Sequence, residues 1–171
     1  MTGTSFRVAM ERMYILEDWN RFFWDLPIRG FPAWTTPPEQ SAYGRAFSYC
    51  TAGVQILGVI VERASGQSIS EYANKKVLKP LDITEFEWPM TGAGHVHFGG
   101  GFLLTTEGLG KFAELQRQNG TYDDEVLYSA DWAKKSTTSH ASIPDTPYEY
   151  GYLWWLMPYE VAGQSHIAAA M

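Results

Sequence analysis

Phe47-Ser-Tyr-Cys-Thr-Ala-Gly-Val-Gln-Ile-Leu-Gly-Val-Ile-Val-Glu-Arg-Ala-Ser-Gly66 carries the strongest structural signal in this 171-residue chain. From Ala52 to Ala64 the apolar residues fall at helical spacing. Val54, Leu57, Val61 and Ala64 form one stripe, and Ile56 and Ile60 lie beside it. A helix apolar on most sides is expected to be buried, so Leu57→Ala is expected to cost about 2–5 kcal/mol. Gly66 is placed to close it, since glycine adopts the left-handed conformation that ends helices. Tyr49 stands at the mouth of this helix, where the positive end of the dipole favours a phenolate. A tyrosine so placed can act as a general base if its proton is loosened. Read alone, it is also an ordinary packed ring.

The pattern continues on both sides. Ser68 with Glu71 three residues on forms a capping box for a second helix, which runs to about Leu78 and ends at Pro80. Leu81 to Phe98 reads as irregular or short-stranded. Gly99-Gly100-Gly101 is expected to contain at least one positive φ, where the chain turns toward a helix begun at Thr105 or Thr106. That helix reaches Gln118, with Leu109, Phe112 and Leu115 facing inward, and Asn119-Gly120 ends it. Ser129-Ala-Asp-Trp132 opens a short helix, and a polar loop with Pro144 and Pro147 follows. Tyr150–Leu156 and Gln164–Ala170 read as two strands of a hairpin. Upstream, Met10 to Leu26 has helical spacing, with Glu17 and Asp18 on its polar side. A proline- and glycine-rich loop carrying Phe31 and Trp34 then runs through Gln40. The reading is an α+β chain, mainly helical over about residues 10–140, with an antiparallel hairpin over about 148–171.

Composition narrows the function. Thirteen Lys and Arg against nineteen Asp and Glu give a net charge of −6, which argues against a phosphate-binding nucleic-acid surface. No apolar run is long enough to be a transmembrane segment. One cysteine, Cys50, excludes an internal disulfide framework, and it reads as a buried structural thiol. His95-Val-His97 could pair two imidazoles, yet no third ligand stands at metal-site spacing, so no metal is expected. No cofactor motif is present. Gly-x-Ser-x-Gly is absent, and none of the eleven serines has lysine three residues later.

Five segments in order carry a family likeness: Phe47–Gly66, Val77-Leu-Lys-Pro-Leu-Asp-Ile-Thr84, Gly99-Gly-Gly-Phe-Leu-Leu-Thr-Thr106, Leu127-Tyr-Ser-Ala-Asp-Trp132 and Tyr150-Gly-Tyr-Leu-Trp-Trp155. They resemble the beta-lactamase-related serine hydrolases, among them class C beta-lactamases, DD-peptidases, family VIII esterases, D-aminopeptidases and aminohexanoate-dimer hydrolases. The resemblance implies a partial domain of the beta-lactamase/transpeptidase-like fold over residues 1–171. It also implies acyl transfer on a small-molecule ester, amide or lactam.

The family's pattern has three elements: Ser-x-x-Lys for the nucleophile, Tyr-x-Asn for the base and Lys/His-x-Gly on the oxyanion side. Tyr49 matches the tyrosine of the second, and Thr51 stands where the pattern has asparagine. A threonine hydroxyl can still donate one hydrogen bond, without the amide's paired donor and acceptor. In the family the first element lies upstream of the segment matching Glu17. The third follows the strand that Gln164–Met171 resembles. The chain is therefore expected to be an internal fragment, inactive alone, with any export signal before Met1 and with uncovered sheet edges that favour self-association. Phe31 and Trp34 are candidates for one wall of the substrate pocket. The alternative is a non-catalytic ligand-binding protein on the same scaffold.

Overall fold

The computed structural model describes residues 16–19, 21–22, 49–143 and 145–171. They fall into two units. One holds the residues up to Phe22 and Cys50–Leu109, and the other holds Tyr49 and Gly110–Met171.

In the first unit, α1 spans Thr51–Ser65, one residue longer at each end than its apolar pattern. Gly66 ends it at φ 67°, and the Gly66 N–H donates to the Glu62 carbonyl. The helix is where the sequence puts it, but its buried face is not. Leu57 is 50% exposed, and Ile60 and Val61 also face solvent. Gln55 and Gly58 are buried instead. The reason lies in what α1 packs against, the irregular segment Val96–Gly99. Its backbone needs hydrogen-bond partners that leucine cannot supply. Gln55 supplies them: its Nε2 donates to the Val96 carbonyl at 3.4 Å, and its Oε1 accepts from the Phe98 N–H at 3.1 Å. The Phe98 ring fills the space a Cβ at Gly58 would need, so only glycine permits this approach.

Ser68 caps α2 (Ile69–Ala73) through the full capping box: Ser68 Oγ accepts from the Glu71 N–H, and the Glu71 carboxylate accepts from the Ser68 N–H. The side-chain and backbone hydrogen bonds from Ser68 hold the Glu71 carboxyl below its ordinary pKa. A π-helical turn over Asn74–Leu78 carries the chain on, so helix reaches Leu78 as the spacing indicates. It delivers Leu78 and Leu81 to a core completed by Ile83, Val96 and Trp19. Strands β1 (Phe86–Glu87) and β2 (Leu103–Leu104) pair antiparallel. Between them the glycine triplet turns as anticipated, with Gly101 at φ 78°.

Of the helix read over Met10–Leu26, Trp19, Arg21 and Phe22 are helical, whereas Leu16–Asp18 are not. Asp18 is the cap rather than a polar-face residue. Its Oδ1 accepts from the Arg21 N–H at 3.0 Å, which satisfies a first-turn donor. The rest of that segment lies outside the described residues.

The unit boundary falls within α3 (Thr106–Arg117). Leu115 is buried and Phe112 half-buried, but Leu109 faces solvent. Gly108, seven residues before Leu115, takes the inward place against Ile83 and Leu104, which turns its neighbour Leu109 outward. Asn119 and Gly120, both at positive φ, end the helix, and the Gly120 N–H donates to the Leu115 carbonyl. A small hairpin absent from the sequence reading follows, β3 (Thr121–Tyr122) with β4 (Glu125–Val126). Asp123 and Asp124 turn it, both with positive φ, as two-residue hairpin loops require. Ser129 caps α4 (Ala130–Ser136) by accepting from the Trp132 N–H.

The chain ends in a four-stranded antiparallel sheet in sequential order: β5 (Ala141–Ser142), β6 (Glu149–Tyr150), β7 (Trp155–Val161) and β8 (Gln164–Ala170). The strand read as Tyr150–Leu156 is thus divided. Leu153 lies at φ 65°, and a Cβ at Gly151 would overlap the Ser136 carbonyl, so residues 151–154 form a turn. The final hairpin is present, with β7 running on to Val161. Helix exceeds strand among the described residues, an α+β fold as its sequence indicates.

Candidate functional site

Tyr49 immediately precedes Cys50, the N-cap of α1. It is 44% exposed. Its ring lies 5.5 Å from that of Trp155, tilted by 34°. Tyr150 meets the same indole edge-on at 5.4 Å. Tyr49, Tyr150 and Trp155 thus form one aromatic cluster within the second unit. The Tyr150 phenol is pushed above its ordinary pKa, first by burial and second by the charge Tyr49 carries when ionised. Tyr150 and Trp155 bound one of the five family-like segments, but the sequence does not mark either as a site residue. Alternation in their segment shows a strand, but nothing local identifies which ring meets a tyrosine more than a hundred residues upstream.

Thr51 opens α1 in the first unit, and its methyl occupies the space that a side chain at Gly99 would need. The imidazole of His97 approaches the same glycine and stacks edge-on with Trp19 at 4.5 Å. His97 Nε2 is buried without a hydrogen-bond partner among the described residues, and burial lowers the pKa of this ring. A neutral imidazole is the form such a site favours. His95 lies elsewhere, with Nδ1 3.9 Å from Glu62 Oε2. Among the described residues, no group of three or more His, Cys, Asp or Glu is arranged to hold a metal ion. Cys50 is half-buried and makes no side-chain cap. Phe31 and Trp34 lie outside the described residues. No helix among the described residues is long and apolar enough to cross a membrane.

The family model for beta-lactamase matches residues 22–169. Solved structures with the same fold include a candidate 6-aminohexanoate-dimer hydrolase from Bacillus anthracis, at 19% identity and TM-score 0.60, covering 66% of this chain and 30% of that one. An octameric penicillin-binding protein homologue from Pyrococcus abyssi matches at 23% identity and TM-score 0.56, covering 82% and 38%. A penicillin-binding protein from Bacillus halodurans matches at 20% and 0.55, covering 72% and 43%. The chain therefore spans less than half the length of each of these proteins.

Proposed function

Because the chain belongs to the beta-lactamase family, we propose that it carries the general-base part of a serine hydrolase working by acyl transfer on an ester, amide or lactam carbonyl. The family match across residues 22–169, which takes in both Tyr49 and Thr51, is the observation that carries this reading. In it, Tyr49 takes the proton of an attacking serine and later activates the water that releases the acyl group. Its partial exposure supports the role, since a base must reach the proton it abstracts. Thr51 offers a hydroxyl at the head of α1. The chain by itself performs no acyl transfer, because none of its serines has the lysine partner at the spacing that activates the nucleophile.

The test compares this chain with a product that includes the adjacent coding sequence. Both are assayed with a chromogenic lactam, p-nitrophenyl esters and a fluorophosphonate label. The extended product should label at one serine, and Tyr49→Phe should lower its turnover by about 10²-fold or more without moving the melting temperature. An unchanged rate removes Tyr49 from the mechanism. Stoichiometric labelling of the short chain overturns its inactivity. Ligand binding by the extended product without turnover would favour the non-catalytic scaffold.

A further inference from the structure

A general base must be held in one place, and Tyr49 sits at a chain position that is partly exposed. The surface against it is unusually well fixed. Trp155 and Tyr150 are direct partners in the β6–β7 register. The turn between them is closed by a hydrogen bond from the Gly151 N–H to the Trp154 carbonyl at 2.8 Å. It is also tied to α4, because the Tyr152 N–H donates to the Ser136 carbonyl at 2.8 Å. On the other side of β6, the His140 N–H donates to the Tyr150 carbonyl, also at 2.8 Å. The Cα of Gly151 packs so closely on the Ser136 carbonyl that a side chain there would displace the turn.

We propose that Trp155 is the positioning residue for Tyr49, a rigid seat braced edge-on by Tyr150, which fixes the direction in which the Tyr49 phenol points. This rests on the reading of Tyr49 as general base. The seat limits the rotations open to the phenol, and displacements of about 1 Å in a reacting group can cost about 10²-fold in rate. The brace also brings two phenols to one indole, Tyr49 at 5.5 Å and Tyr150 at 5.4 Å between ring centroids. Burial raises the pKa of the Tyr150 phenol above its ordinary value, and a negative charge on Tyr49 adds to that rise. Glu149 precedes Tyr150 on β6, His140 lies just before β5 and Tyr152 follows in the turn. A charge on Tyr49 acts on the Tyr150 phenol, after burial.

The test uses the chain as it stands, labelled with 13C-tyrosine, with the Tyr49 and Tyr150 ring signals assigned from Tyr49→Phe and Tyr150→Phe. Trp155→Leu should move both signals toward their unstructured positions by removing the indole ring current, and Trp155→Phe should retain part of the displacement. In Tyr49→Phe the Tyr150 titration midpoint should fall, a change that simple packing would not produce. If Trp155→Leu unfolds the chain, the Trp155→Phe signals and the Tyr150 titration decide the matter. In the extended product, Trp155→Leu should lower kcat about tenfold or more with little change in KM, and Trp155→Phe should restore most of it. A Tyr49 signal unmoved by Trp155 substitution, or a Tyr150 midpoint unmoved by Tyr49→Phe, overturns the seat. If both couplings hold while Tyr49→Phe leaves turnover unchanged, the general-base reading fails and the seat stands.

Discussion

Helices α1 and α3 solve one problem in opposite ways. Each must bind an irregular or distant stretch of chain, and each uses a glutamine to do it. Gln116 Nε2 donates to the Ala133 carbonyl at 2.9 Å, and Gln116 Oε1 accepts from the Tyr128 hydroxyl at 2.7 Å. Gln55 serves Val96 and Phe98 in the same manner. On α3 the glutamine stands next in sequence to a buried leucine, Leu115, so an apolar anchor and a polar clamp serve adjoining sides of one helix. On α1 the clamp and a glycine occupy the buried face, and the leucine is turned away. Apolar periodicity therefore marks where a helix forms more reliably than which side of it meets the protein. A backbone segment lying against a helix demands hydrogen bonds and close approach, and those demands select Gln and Gly.

The largest effect is expected on the apolar face of α3. Leu115 is 1% exposed, so Leu115→Ala removes buried methyl groups and leaves a cavity. A loss of about 2–5 kcal/mol is expected, read by denaturant unfolding. A loss below about 1 kcal/mol would erase the contrast by showing that α3 is not anchored by its leucine.

Gln55→Leu comes next. It keeps roughly the same volume but withdraws the partners of the Val96 carbonyl and the Phe98 N–H. A loss of about 1–3 kcal/mol is expected, because a buried group left unpaired costs about that much. Hydrogen exchange at the Phe98 amide should accelerate in the same variant. Unchanged stability with unchanged exchange would mean that the glutamine is incidental, and that α1 is held by other contacts.

These helices also show how much was legible beforehand. The helix positions, the Gly66 stop, the Ser68–Glu71 box, the Asn119-Gly120 stop and the glycine turn were all readable, because each is set by residues within about one turn of one another. The buried face of α1 was not, since it depends on a segment about forty residues away. The break at residues 151–154 depends likewise on the Ser136 carbonyl, which local alternation cannot reveal. The aspartate pair that turns the β3–β4 hairpin was local yet unread, because it lacks the glycine that usually announces such turns. At the site, Tyr49 and Thr51 stand out by motif, whereas the meeting of Tyr49 with Trp155 is a product of folding.

Leu57→Ala carries the smallest expected effect and tests the contrast most directly. Were Leu57 inside, as the apolar stripe alone suggests, its loss would cost about 2–5 kcal/mol. With the residue 50% exposed, only about half of its transfer free energy is at stake. Burying a whole leucine contributes about 1.5–3 kcal/mol. No closed cavity forms, because water occupies the vacated space and the added cavity cost disappears. Alanine is also the better helix former by a small margin, which offsets part of the remaining loss. The net change should stay below about 1 kcal/mol, with α1 helicity unchanged by circular dichroism. A loss of 2 kcal/mol or more would show that the apolar stripe of α1 is covered in solution, and the two helices would then be alike.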